Sequence, residues 1–240
     1  MEIEIAVAKT NRFGSEVSGD SIEVIERPNG GYSAVMCDSQ NSGPEFKIVS
    51  GMIVRKVMGL IADGIRDGAA ARAASDFLYT EKQGKAPCFL NILSADFQTG
   101  TVVITRNNPT PIFVAQDDRV ECLGGASPPI GAERNTRPSI TEIAIRPNLT
   151  IVLYTDGLFN AGKAHGDIGL DICTTIEALL DEQEPTAQTI ADAILYQAIR
   201  LDNQRPEDDM SVVVLRIASK QTEQIRRMNV WLPFTPPTNY

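Results

Sequence analysis

The sequence predicts an α+β domain in which helices pack on mainly antiparallel β-sheets. Strand-like runs fill the segment before residue 40, helical periodicity follows, and short β segments, two helices and a final strand complete the pattern. This order lacks the regular alternation of strand and helix that builds a parallel sheet. The chain has 240 residues, 42% of them hydrophobic and 22% charged. A domain of this size buries about 70% of its unfolded surface, so its core needs neither disulfides nor a structural metal.

The first part of the chain has the pattern of three strands. Alternating apolar residues cover Glu2–Ala8, Ser21–Glu26 and Tyr32–Cys37. The segment Pro28–Gly31 contains proline, asparagine and two glycines, which are typical of a tight turn. The second and third strands are therefore predicted to form a hairpin.

Two helices are predicted next. The segment Ser42–Glu45 has the S-x-x-E form of a capping box with a proline in the first turn, and predicts that a helix begins here. Apolar residues then recur at helical spacing, at Val49, Ile53, Val57 and Leu60. The alanine-rich segment Ala69–Tyr79 predicts a second helix.

The rest of the chain returns to strands and then alternates with helices. Six short β segments are separated by turn-forming residues: Phe89–Ala95, Thr101–Arg106, Ile112–Ala115, Arg119–Cys122, Ile140–Ile145 and Thr150–Tyr154. Two helices are expected at Asp167–Asp181 and Thr186–Leu201, and a last strand at Met210–Ile217.

The composition changes after the last strand. We therefore predict one domain over residues 1–218 and a C-terminal tail over residues 219–240. The single tryptophan, Trp231, lies beside Leu232 and Phe234 in a proline-rich segment. The favoured interpretation is a tail folded onto its own domain, and the alternative is a segment that docks on a partner.

Charge and hydropathy exclude several classes of function. The net charge of −9 argues against a nucleic-acid partner. No window approaches the roughly 18 apolar residues of a membrane-spanning helix. The acidic start lacks the basic region of a secretory signal, so we expect a cytoplasmic protein with no membrane partner. His165 is the only histidine, which argues against a Ser-His-Asp triad.

Acidic residues lie at the ends of several predicted strands. Asp20 lies about as far before the hairpin turn as Asp38 lies after it, so the two are expected to be neighbours at the open end. Period-two alternation places both on the core side of their strands. Asp156 follows the strand that ends at Tyr154, and Asp208 and Asp209 precede the last strand. Parity does not choose between Asp208 and Asp209.

Converging carboxylates are a natural site for hard divalent cations, because oxygen-only ligation favours Mg²⁺ or Mn²⁺ over zinc. Few lysines or arginines lie near them in sequence to neutralise them. The alternative for each aspartate alone is that it merely begins or ends a turn, where aspartate is common.

Several short motifs occur in a fixed order along the chain: Ser18-Gly19-Asp20, Asp38 before a helix, Asn107–Ile112, Pro129-Ile130-Gly131, Tyr154-Thr155-Asp156-Gly157 and Asp208-Asp209-Met210-Ser211. This order resembles the metal-dependent Ser/Thr protein phosphatases of the type 2C, or PPM, class, and in particular their SpoIIE-like bacterial branch. The resemblance covers roughly residues 3 to 217. It implies a central β-sandwich of two antiparallel sheets flanked by helices, a four-layer αββα fold, with a metal centre at one end.

The resemblance also implies a set of site residues. Two Mn²⁺ or Mg²⁺ ions would be held by four carboxylates: Asp20, Asp38, Asp156 and Asp208. Asp38 would bridge the two ions, and the backbone carbonyl of Ser39 would be a further ligand. Asp209 and Gly157 are weaker candidates. Arg12 is the nearest cation that could contact the phosphate.

The implied function is an Mn/Mg-dependent phosphatase that hydrolyses phosphoserine or phosphothreonine through a water activated by two metals. The substrate would be a bacterial regulatory protein, such as an anti-anti-sigma factor or a stressosome component. Ser39 departs from the glycine that relatives have after the bridging aspartate, and no histidine lies near the motifs to act as a general acid. The alternatives are a catalytically impaired binding module with the same fold, and a metal-dependent hydrolase of small phosphomonoesters.

Overall fold

The chain folds into two stacked five-stranded β-sheets with helices on both outer faces, as a computed structural model of the chain shows. The structure describes residues 1–117, 119–125, 127–166, 169–182, 184–219 and 225–233. The ten strands are β1 (Glu2–Thr10), β2 (Ser21–Glu26), β3 (Gly31–Asp38), β4 (Phe89–Asp96), β5 (Thr101–Asn107), β6 (Ile112–Gln116), β7 (Arg119–Leu123), β8 (Ser139–Ala144), β9 (Thr150–Tyr154) and β10 (Met210–Ala218).

Five α-helices accompany the strands in the described part of the chain. They are α1 (Pro44–Ala62), α2 (Asp67–Lys82), α3 (Asp156–Asn160), α4 (Ile172–Glu182) and α5 (Ala187–Leu201). A single turn of 3₁₀-helix covers Lys163–His165. None of the helices in the described ranges is both long and apolar enough to cross a membrane.

Every neighbouring pair of strands is antiparallel. The first sheet has the order β1-β10-β9-β6-β7, and the second has the order β2-β3-β4-β5-β8. The predicted hairpin is present, with Ser21 opposite Cys37 and Glu26 opposite Tyr32. The α+β class and the sandwich of two antiparallel sheets are therefore confirmed.

Three apolar layers hold the four structural layers together. The middle layer lies between the sheets and includes Met36 and Leu93 from one sheet and Leu153 and Leu215 from the other. Outer layers join α1 and α2 to the second sheet, and α4 and α5 to the first. Because β9 and β10 are covered on both faces, all their residues are buried, which explains why they read as continuous apolar runs.

Three details of the predicted elements are wrong. The capping box does not form, because the residue that caps α1 is Gly43 and the Ser42 hydroxyl is buried with no partner. Helix α4 begins at Ile172 rather than at residue 167, and residues 167 and 168 lie outside the described part. The short helix α3 was not expected, because it begins directly after β9 without a periodic apolar pattern.

The described part of the tail does not fold onto the domain as expected. Trp231 is 76% exposed, and its neighbours Val230 and Leu232 are exposed as well. Arg226 of this segment forms an ion pair with Glu26 at the end of β2. Phe234 lies outside the described residues. Folding onto the domain is therefore wrong for residues 225–233.

Candidate metal centre

The hairpin register brings Asp20 and Asp38 together at one end of the sandwich. Asp38 is the last residue of β3, and Asp20 directly precedes β2, so extending the register that pairs Ser21 with Cys37 by one residue sets Asp20 opposite Asp38. Both side chains share the face of residues that fill the layer between the sheets, as the alternation predicts. Asp20 is 2% exposed and Asp38 is 6% exposed.

The other sheet places its acidic residues at the same end. The pairing of Val212 with Tyr154 aligns the end of β9 with the beginning of β10, so the residues just beyond, Asp156 and Asp208, lie close together. The Ser211 hydroxyl in β10 donates a hydrogen bond of 2.6 Å to Oδ2 of Asp20, which ties the two sheets together here.

Mutual repulsion and loss of water raise the pKa of these carboxyl groups. Burial raises the pKa of Asp20 to about 7, against the hydrogen bond from Ser211 and with a further contribution from the charge of Asp209. Burial, and then the charges of Asp20 and Asp156, raise the pKa of Asp38 well above its usual value. The pKa of Asp208 is also raised, first by burial. Ionised carboxylates in this position are unfavourable without a compensating positive charge.

Each of three carboxylates keeps one oxygen without a hydrogen bond in the described structure. Asp38 accepts from the N–H of Gln40 with Oδ1, and its buried Oδ2 has no partner. Asp20 uses Oδ2 for Ser211, and Asp208 uses Oδ1 for the N–H of Asp209. An all-oxygen set with a buried unpartnered carboxylate oxygen fits a hard divalent cation.

The carboxylates are close enough for their charges to act on one another. The charges of Asp20, Asp156 and Asp208 all raise the pKa of Asp38, after the larger effect of burial. Within the described residues, no group of three or more His, Cys, Asp or Glu side chains stands in a geometry that could hold a metal ion. The five predicted ligands are thus gathered at one end of the sandwich, and their common role as ligands stays a prediction.

Two lysines lie at this end that the sequence analysis missed. Lys9 of β1 and Lys47 of α1 both donate to the backbone carbonyl of Asp20, at 3.0 and 2.7 Å. Few cations lie near the aspartates along the sequence, but the fold brings these two lysines to the cluster. Their positions on separate elements give no local signal. A lysine at the end of an alternating strand is otherwise an ordinary exposed residue.

Asp209 acts as a clamp on the loop that carries Arg12. Its Oδ1 accepts the N–H of Arg12 at 2.8 Å, and its Oδ2 accepts the N–H of Gly19 at 2.7 Å. Both oxygens are thus engaged with backbone donors, whereas Asp208 keeps an oxygen for another partner. This difference favours Asp208 over Asp209 as the ligand. The side chain of Arg12 is exposed.

Gly157 is required for space. A Cβ at this position would lie 2.2 Å from the carbonyl oxygen of Asp209 and 3.1 Å from Cβ of Asp208. The absence of a side chain lets α3 begin directly against the segment before β10. Gly157 therefore positions Asp208 by close packing.

Ser39 fits its position without backbone strain. Its φ is not positive, and the left-handed residue of this turn is the next one, Gln40, at φ 42°. The Ser39 hydroxyl donates to the carbonyl of Gly19 at 3.0 Å, so the side chain joins the two loops that carry Asp20 and Asp38. The Ser39 carbonyl accepts from the N–H of Asn41. A glycine is therefore unnecessary here, and the carbonyl can accept a second partner through its other lone pair.

His165 lies beside the segment that precedes β10. Its Nε2 is 3.5 Å from Oε1 of Glu207, the residue directly before Asp208. Both side chains are substantially exposed, at 39% and 52%. The histidine is thus placed at the edge of the acidic end, where it balances an additional negative charge when protonated.

Comparison with known proteins agrees with this architecture. The family model of stage II sporulation protein E (SpoIIE) matches residues 28–218. Stage II sporulation protein E of Priestia megaterium is 24% identical over 215 residues, which cover 90% of this chain and 36% of that protein. The chain thus spans about a third of the length of this curated relative.

Solved structures share the fold. The type 2C phosphatase domain of SpoIIE from Bacillus subtilis, solved with a fragment of its regulatory domain, superposes with a TM-score of 0.78 at 22% identity and covers 90% of this chain and 64% of that chain. The catalytic domain of the serine/threonine phosphatase PstP, in complex with two manganese ions, has a TM-score of 0.70 at 14% identity and covers 90% and 99%.

Proposed function

The chain belongs to the stage II sporulation protein E family, and from this premise we propose that it is a protein phosphatase that depends on Mn²⁺ or Mg²⁺. Its substrate is phosphoserine or phosphothreonine on a bacterial regulatory protein, and its place of action is the cytoplasm. The chemistry of the acidic end and the phosphatases among the structural neighbours support the proposal. An anti-anti-sigma factor or a stressosome component is the kind of substrate that the resemblance implies.

The observation that carries the proposal is the unpartnered, buried Oδ2 of Asp38 beside two further carboxylates. A buried carboxylate oxygen without a donor is costly, and a divalent cation offsets that cost directly. Asp20, Asp38, Asp156 and Asp208 would hold two such ions, with the carbonyl of Ser39 as an additional ligand. Bound there, the ions would supply a water of lowered pKa as nucleophile and charge stabilisation for the phosphoryl oxygens.

The remaining residues of the site position these ligands. Ser211 orients Asp20 through its 2.6 Å hydrogen bond. Lys9 and Lys47 hold the Asp20 backbone and add positive charge to a strongly negative end. Arg12 extends from the loop that Asp209 clamps, where its guanidinium can bind phosphate oxygens with two parallel hydrogen bonds.

A binding module with the same fold is the second candidate. It is favoured by the absence, within the described ranges, of three acidic or histidine side chains already arranged to hold an ion. Such a module would use its surface for protein contact and would release no phosphate.

Turnover separates the candidates. We expect hydrolysis of p-nitrophenyl phosphate and of a phosphoserine peptide with Mn²⁺, loss of both with a chelator, and faster reaction on the peptide than on free nucleotides. Asp156→Asn should abolish turnover and keep the fold by circular dichroism. Asp117→Asn is the matched control, because Asp117 is an exposed left-handed residue that asparagine replaces readily. A folded wild-type protein without turnover in Mn²⁺ or Mg²⁺ would contradict the phosphatase proposal and favour the binding module.

A further inference from the structure

Three exposed side chains form a patch beside the acidic end, which we call the rim patch: Arg12, Phe13 and Arg205. We propose that the rim patch binds the residues that flank the phosphorylated serine of the substrate and selects acidic flanks over basic ones. This inference rests on the proposed function and adds a substrate preference to it.

The loop that carries Arg12 and Phe13 is held by its backbone. The N–H of Arg12 donates to Asp209, and the N–H of Phe13 donates to the carbonyl of Pro206 at 2.8 Å. Further along, the N–H of Gly19 donates to the other oxygen of Asp209. The backbone of this loop is therefore fixed to the segment before β10, whereas the side chains of Arg12 and Phe13 are exposed to solvent.

Arg205 is anchored in the same way on the opposite side of the patch. Its N–H donates to the carbonyl of Asp202 at 2.9 Å, and the carboxylate of Asp202 accepts the N–H of Glu207 at 3.0 Å. The two residues before it, Asn203 and Gln204, both adopt positive φ and turn the chain outward. The side chain of Arg205 itself is exposed, as expected for a residue presented to solvent.

The two sides of the patch meet in a cation–π contact. The guanidinium of Arg205 lies 5.2 Å from the centre of the Phe13 ring, although Phe13 is 61% exposed. Such stacking keeps the guanidinium edge free for hydrogen bonds while the ring offers an apolar surface. The patch is thus preorganised for a chain segment with both a carboxylate and an apolar contact.

The patch lies directly beside the candidate ligands. The backbone N–H of Arg12 donates to the side chain of Asp209, the residue directly after Asp208. Pro206, which accepts from Phe13, is two residues before Asp208. A peptide whose phosphate lies at the acidic end beside Arg12 would therefore have its neighbouring residues over Phe13 and Arg205, the outer part of the rim patch.

Charge gives the patch its preference. Neither Arg12 nor Arg205 forms an ion pair within the part of the chain that the structure describes. The adjacent Glu207 faces His165, and Glu16 is exposed on the same loop. The chain as a whole carries −9, so two guanidinium groups without an ion pair in the described residues are a local exception, and Arg205 favours an acidic segment of a partner.

The test compares phosphoserine peptides that differ only in flanking residues, aspartate in one set and lysine in the other. The readout is the ratio of kcat/KM for the two sets with saturating Mn²⁺. A single exposed guanidinium–carboxylate contact changes kcat/KM by up to about fivefold, so we expect the wild-type ratio to favour aspartate by about two- to fivefold. Arg205→Glu should bring the ratio to one or below, Arg205→Gln should fall between, and Arg205→Lys should retain most of the preference.

Arg119→Glu is the matched control, because Arg119 is an exposed arginine at the start of β7, at the opposite end of the sandwich. It should keep the wild-type ratio, and circular dichroism should show native folds for all variants. A ratio near one in the wild type, or an unchanged ratio in Arg205→Glu, would overturn the inference while the phosphatase proposal stands. No turnover of any phosphopeptide would overturn the proposed function and this preference with it.

Discussion

Removing the Asp20 carboxylate is expected to stabilise the protein in the absence of metal. The folded state raises the pKa of Asp20 from 3.8 to about 7. Between these values the folded state holds a proton that the unfolded state has released, so the free energy of unfolding decreases as the pH rises from about 4 to about 7. A shift of about three pKa units corresponds to about 4 kcal/mol, all of it lost above pH 7.

Asp20→Asn cannot ionise and keeps an oxygen that accepts from Ser211. In a chelator at pH 8, we therefore expect its free energy of unfolding to exceed that of the wild type by about 2 to 4 kcal/mol. At pH 4 the two proteins should be nearly equal. Urea unfolding followed by circular dichroism measures this. The single tryptophan is unsuitable as a probe, because Trp231 is 76% exposed in the folded state.

Metal should remove most of this difference. An ion that binds only the folded state stabilises it by about 2.7 kcal/mol at 100 times its dissociation constant. Asp20→Asn should lose most of that gain, so its advantage of about 2 to 4 kcal/mol in chelator should fall to about 1 kcal/mol or less. Asp202→Asn is the control, because Asp202 is equally buried but accepts two backbone N–H groups. It should be destabilised by about 1 to 3 kcal/mol with or without metal. A wild-type stability that rises between pH 5 and 8 in chelator would refute this account of the acidic end.

Two further substitutions test the packing. Gly157→Ala should lower the free energy of unfolding by about 1 to 3 kcal/mol, because the new Cβ would lie 2.2 Å from the carbonyl oxygen of Asp209. Gly59→Ala is the control: a Cβ at this position of α1 meets nothing within 4 Å, so the change should stabilise the protein by about 0.5 to 1 kcal/mol. Equal effects of the two changes would contradict the steric argument. Arg27→Met should lower the free energy of unfolding by about 3 to 5 kcal/mol, because it leaves the buried carboxylate of Asp67 in α2 without this partner. Arg226→Met breaks an exposed ion pair and should lower it by less than about 1 kcal/mol. Urea unfolding checks both, and a similar loss in the two arginine variants would contradict the burial argument.

Local periodicity was sufficient to place two of the candidate ligands, Asp20 and Asp38. A hairpin ladder has a period of two, so the distance of Asp20 and Asp38 from the turn predicted both their pairing and the face that they share. The end of β9 and the beginning of β10 could also be located from the sequence, because each is an apolar run next to an aspartate. The converging carboxylates alone indicated a site for a hard divalent cation, whereas the pair of ions and the role of each ligand came only from the resemblance to a known family.

The rest depends on contacts between distant segments. Parity could not choose between Asp208 and Asp209, and the difference arises because two backbone N–H groups almost 200 residues earlier engage Asp209. Lys9 and Lys47 reach Asp20 from a strand and a helix whose own patterns do not specify that approach. The capping box failed for a related reason, since Gly43 rather than Ser42 takes the capping position when the turn after Asp38 is formed.

The most direct test of the central claim is the anomalous scattering of manganese in crystals grown with Mn²⁺. We expect two peaks among Asp20, Asp38, Asp156 and Asp208, with Asp38 between them and the unpartnered Oδ2 now bound to an ion. Crystals that diffract well, contain Mn²⁺ in the solution and show no peak at this end of the sandwich would contradict the claim that these carboxylates form a metal centre.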